Sequence, residues 1–140
     1  MTTIERAIDP STVPTVAVRA WLRVEGAAVF VAALVVYAQL GAPWWLALPL
    51  LLLPDVSAAG YLAGPRVGAL SYNVVHNWAF GLAVLGLGLA TGAVAIAIIG
   101  ATAIAHVGLD RAVGYGLKLP TSFQDTHLGR IGRDRGTRQS

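Results

Sequence analysis

The stretch from Val67 to Asp110, VGALSYNVVHNWAFGLAVLGLGLATGAVAIAIIGATAIAHVGLD, carries no charged side chain before its last residue. It is about twice as long as the ~20 residues that cross a hydrocarbon layer ~30 Å thick. It therefore reads as two transmembrane helices in a tight hairpin, about Val67–Leu87 and Ala93–Val113, joined by the small-residue run Gly88-Leu89-Ala90-Thr91-Gly92. Working outward, Gly64-Pro65-Arg66 turns the chain, and about Trp44–Leu62 forms a further apolar span that Pro49 and Pro54 are expected to bend. Trp44 and Trp45 sit where an aromatic belt would lie. Gly41-Ala42-Pro43 separates that span from the first, about Trp21–Leu40.

Composition agrees with this reading. The chain is 56% hydrophobic and only 12% charged, and between Arg23 and Asp110 the charges are Glu25, Asp55 and Arg66 alone. A soluble core of that size would have no surface to show to water. The absence of cysteine excludes disulfides and thiolate metal sites. The net charge of +3 resides at the ends, with no basic stretch interleaved with aromatics, so nucleic acid is not expected as a partner. Residues 1–18 are polar and lack the basic start of a secretory signal, residues 19–129 form the transmembrane domain with an ordered C-terminal loop, and residues 130–140 read as a basic tail.

Basic residues orient the spans. Arg6, Arg19 and Arg23 precede or open the first, Arg66 lies between the second and third, and Arg111, Lys118, Arg130, Arg133, Arg135 and Arg138 close or follow the fourth. With four spans these segments share one side, which the positive-inside rule makes cytoplasmic. The expected fold is an all-α integral membrane bundle of four transmembrane helices, both termini cytoplasmic, in the inner (plasma) membrane. Its partner is the lipid bilayer, and self-association into a homo-oligomer is left open.

Ionisable groups inside hydrocarbon cost at least ~2.5–3.5 kcal/mol unless partnered, which makes Glu25, Asp55, His76, His106 and Asp110 the candidates for function. Counted inward along the helices they lie at similar depths, about 5–14 Å from the cytoplasmic ends, one or more per span. His106 and Asp110 are four apart and share a helix face. Pro54 can turn Asp55 inward. Histidine and carboxylate ligands from different helices suit zinc, manganese or iron, so Asp55, His76, His106 and Asp110 are candidate ligands. Glu25 is then the candidate general base, or an outer partner, with Tyr72, Asn73 and Asn77 orienting ligands or substrate. His127 could fold back over the site from the C-terminal loop, whereas the ordinary state of such a histidine is exposure. The plain alternative is a metal-free hydrogen-bonded network that locks the helices together.

The stretches Leu22-Arg23-Val24-Glu25-Gly26, Leu53-Pro54-Asp55, Gly60 through Ala69, Tyr72-Asn73-Val74-Val75-His76, Ala105 through Arg111 and Gly114 through Gly129 resemble a family of small bacterial four-helix membrane proteins, domain-of-unknown-function family 4260. More distantly, Pro54-Asp55, His76 and His106-x-x-x-Asp110, followed by Gly116 and Pro120, resemble inner-membrane metal-dependent hydrolases. Those carry a second Asp and a His where this chain has Ser57 and Ala58. The resemblance implies a metal-dependent hydrolase acting on a lipid-like or membrane-accessible substrate. The other readings are a proton- or ion-conducting protein and a structural or partner-binding one.

Overall fold

Helix α5 (Val94–Val113) is made largely of alanine, glycine and β-branched residues, and its segment from Gly100 to Gly108 is buried along its whole length. Small side chains let neighbouring backbones approach closely, which is how helices associate where lipid removes the hydrophobic drive between them. In the computed structural model, which describes residues 15–132, α5 is accordingly the central helix. Helix α1 (Val16–Gln39) packs along one side of it and α4 (Trp78–Thr91) along the other, while α2 (Trp44–Leu52) leans on it more briefly. Helix α3 (Pro65–Val75) packs instead on a 3-10 helix, Leu53–Ala63, that continues α2. Large apolar side chains point outward all round, Leu70 being 68% exposed and Trp45 75%. Such a surface suits lipid and not water.

Three segments are long and apolar enough to cross a membrane: Val16–Gln39, Trp44–Ala63 and Val94–Val113. A fourth is reached if α3 and α4, bent by 43° at their junction, count as one broken span. The chain is thus a helical protein with candidate membrane spans, and three features differ from the sequence expectation.

The span expected as continuous over Val67–Leu87 breaks at His76-Asn77. Asn77 accounts for the break: its Nδ2 donates to the carbonyls of Asn73 and Val74 at 2.7 and 2.8 Å, while its Oδ1 accepts the Phe80 N–H at 3.0 Å. One side chain therefore closes α3 and caps α4, satisfying backbone groups that lipid could not. Asn77→Ala is expected to cost about 1–2 kcal/mol, read as a lower melting temperature in detergent. An unchanged melting temperature would mean that packing alone holds the break.

The second span is mixed, because Pro49 and Pro54 remove helical donors. The Leu53 N–H turns to the Leu50 carbonyl, and the chain tightens into the 3-10 form. Finally, Gly88–Thr91 is helical, so the α4–α5 turn is confined to Gly92, in the left-handed region at φ 70°, and Ala93. Gly88 packs against the backbone of Ala97.

Beyond α5 the chain returns across the end of the bundle. A short hairpin, β1 (Asp125–Thr126) with β2 (Gly129–Arg130), lies beside the start of α1, and Phe123 just before it packs edge-on against Tyr61 of the 3-10 helix. Asn73 anchors this return segment, donating to the Lys118 carbonyl at 2.8 Å and accepting the Lys118 N–H at 2.7 Å. Residues 1–14 of the expected polar segment and 133–140 of the expected basic tail lie outside the described residues.

Candidate metal centre

Pro54 begins the construction of the site. In a 3-10 pattern the Leu51 carbonyl would take its hydrogen bond from residue 54, and proline has no N–H to give. The His106 Nδ1 lies 2.6 Å from that carbonyl oxygen. On the other side of the site, His76 follows the last residue of α3, and its Nδ1 lies 2.9 Å from the Tyr72 carbonyl oxygen. A carbonyl only accepts, so each Nδ1 carries the hydrogen. In the neutral ring each Nε2 is then a bare lone pair.

The two lone pairs face each other. His76 Nε2 and His106 Nε2 are 2.9 Å apart, with side chains 1% and 5% exposed. Asp55 Oδ1 is 3.5 Å from both. Two buried lone pairs and a carboxylate at this spacing repel unless a proton or a cation lies between them. For bonds of about 2.0–2.2 Å to one ion, these separations subtend roughly 90° between the nitrogens and roughly 115° from each nitrogen to the oxygen. A backbone carbonyl behind each Nδ1 is also the usual outer support of a ligating imidazole.

Asp110, one turn beyond His106, stands a step back. Its Oδ2 is 3.5 Å from His106 Nε2 and 4.0 Å from His76 Nε2, and it accepts the Tyr72 hydroxyl at 3.0 Å. The Tyr72 ring stacks on His76 at 3.5 Å. Ser57 donates to the Pro54 carbonyl at 2.7 Å and lies 3.5 Å from His76 Nδ1. The Asp55 side chain is 53% exposed, so the group opens on that side.

Glu25 is not in this group. The α1–α5 contact falls on Gly26, which meets the backbone of α5 near Arg111 and Ala112, and the adjacent Glu25 is turned aside by the ~100° helical step. It is exposed and lines a separate cavity of about 270 Å³ with Asn77, Arg111 and His127. The four segments expected to converge are therefore three at this point, and α1 supplies no ligand. Asn73 and Asn77 hold backbone and not ligands.

Two residues read from the sequence only as orientation signals border the site. Arg111 donates to the His76 carbonyl at 3.3 Å and to the Tyr115 carbonyl at 2.6 Å. Lys118, the only lysine in the chain, is 4% exposed. Its ammonium donates to the Phe123 carbonyl at 2.8 Å and lies over the rings of Phe123 and Tyr72. Burial lowers its pKa, against the opposing pull of Asp110 and Asp55. A buried ammonium behind Tyr72 adds positive charge next to the carboxylates.

His127 faces the Glu25 cavity and not the histidine pair. Its Nδ1 accepts the Leu117 N–H at 2.9 Å, and desolvation by the surrounding chain, followed by the positive Arg111 nearby, lowers its pKa. The folded state thus favours the neutral ring, and the unfolded segment binds more protons as pH falls. Docking of the return segment is expected to be complete above the ordinary imidazole pKa of about 6.5 and to weaken below it. Faster amide exchange of Leu117 at pH 5 than at pH 7.5, after correction for intrinsic rates, would bear this out. Equal protection at both would refute it.

No curated protein matches the chain, and no solved structure does. Residues 19–131 match the family described as Domain of unknown function (DUF4260). With most of its length inside that match, the chain belongs to this family.

Proposed function

We propose that the protein spans the plasma membrane four times with both termini in the cytoplasm, and that Asp55, His76 and His106 hold a divalent zinc, manganese or iron ion for hydrolysis of a lipid-like or membrane-accessible substrate. The supporting observation is the pair of opposed Nε2 atoms, both made lone pairs by the carbonyls behind them. Three protein ligands with an open side are the usual pattern of a catalytic site, and an ion there would polarise a substrate carbonyl or phosphoryl group and acidify water. Asp110, oriented by Tyr72, is the base that takes the proton of the attacking water. It replaces Glu25 in that role. Lys118 and Arg111 steady the negative charge of the site.

A second reading rests on the same 2.9 Å distance. One proton shared between the rings, with Asp55 and Asp110 as counter-charges, would also satisfy it and would suit proton conduction. Elemental analysis of the detergent-purified protein after mild chelator washing separates the two. Near-stoichiometric metal in the wild type, absent from Asp55→Ala, supports the metal centre and warrants a screen of lipid esters and phosphoesters. No metal even after add-back would defeat it in favour of the shared proton, to be followed as proton flux in vesicles.

A further inference from the structure

At the hairpin end of the bundle, away from the histidine pair, lies a cavity of about 610 Å³. It is walled by the start of α1, the end of α5 and the residues around β2. Three guanidinium groups line it: Arg19 and Arg23, one turn apart on the same face of α1, and Arg130 from the hairpin. Arg23 is fixed there by its Nε, which donates to the Ala112 carbonyl at 2.8 Å. Among the described residues no carboxylate lines the cavity, and Asp125 reaches only the Nε of Arg130, at 3.9 Å.

The rest of the wall is apolar. Val16, Ala20, Val113 and Leu128 contribute to it, with Val16 and Val113 opening to the outside at 78% and 50% exposure. The cavity therefore joins a cationic lining to an apolar flank at the ends of two membrane-length helices, where a bilayer would pass from hydrocarbon to water. Guanidinium groups bind phosphate through paired N–H donors, and basic pockets between spans at that level hold anionic headgroups. We propose that this cavity binds the phosphate of an anionic phospholipid, whose acyl chains leave it past Val113 toward the bilayer centre. The apolar flank is what a free phosphate would not need.

The test uses the full chain in nanodiscs and detergent, with Arg23 left intact because it ties α1 to α5. Phosphatidylglycerol is expected to bind at least tenfold more tightly than phosphatidylcholine by native mass spectrometry. Arg19→Gln with Arg130→Gln should remove that preference, and the corresponding lysine pair should retain most of it. Equal binding of the two lipids by the wild type would overturn the proposal, as would a glutamine pair that keeps the preference with an unchanged helical circular dichroism spectrum. Millimolar inorganic phosphate that displaces phosphatidylglycerol from the wild type would reassign the site to a free anion and so also overturn it.

Discussion

His106→Ala is expected to strip the protein of metal and of every stabilising effect of added metal, whereas Asp110→Asn keeps both and loses hydrolysis. The substitution removes one of the two opposed nitrogens and the imidazole N–H that the Leu51 carbonyl accepts, where Pro54 has no N–H to give. The second effect alone costs about 1–3 kcal/mol whether or not metal is present. A lower melting temperature in the variant is therefore not the diagnostic. The diagnostic is the difference between melting with metal and melting with chelator. At a free metal concentration 100-fold above Kd that difference corresponds to about 2.7 kcal/mol in the wild type. It should vanish in His106→Ala, whose loss of affinity exceeds the ~10–100-fold of an outer-shell change. Asp110 holds Tyr72 and lies farther from His76 Nε2 than Asp55 does, so its amide should leave the increment largely intact. Wild-type protein indifferent to metal, or a His106→Ala variant with an undiminished increment, would sink the metal centre.

Much of this arrangement is legible in the sequence because depth along a helix is a matter of counting. The shared depth of Asp55, His76, His106 and Asp110 follows from the apolar runs, and these four do meet. Rotation about the helix axis is different: it is set by which small residues let backbones touch. Glu25 has the right depth, yet its neighbour Gly26 takes the contact with α5 and turns the carboxylate into the other cavity. Asn77 reads as another polar group near the site, and its work of closing one helix and opening the next depends on three hydrogen bonds that spacing does not reveal. The carbonyl behind His106 was within reach, since Pro54 must orphan an acceptor one turn earlier. Lys118 was not: in a chain whose other basic residues are all arginine, one lysine after the last span looks like topology until Asn73 draws its backbone against α3.

Gly108 offers the sharpest test of whether that glycine-set rotation also positions the metal site. It lies on α5 between His106 and Asp110, and a Cβ built on it would stand 2.7 Å from the Phe30 backbone nitrogen and 2.9 Å from the Gly26 carbonyl oxygen. Both are main-chain atoms of α1 and cannot swing aside, so even Gly108→Ala must push the two helices apart. Overpacking of this kind typically costs about 1–3 kcal/mol. Gly86, on α4, is the control: a Cβ there meets nothing within 4 Å, and alanine should be neutral or stabilise the helix by up to about 1 kcal/mol. The melting temperature should therefore fall for Gly108→Ala and hold or rise for Gly86→Ala, two substitutions of identical chemistry. Metal affinity discriminates further. The ligands arise from α3, the 3-10 helix and α5, with none from α1, so a shift of α1 alone would destabilise Gly108→Ala without weakening metal binding. A parallel fall in affinity would mean instead that α5 itself is displaced, carrying His106 away from His76. If Gly108→Ala melts like the wild type, the close α1–α5 approach is wrong, and with it the reason given for the position of Glu25.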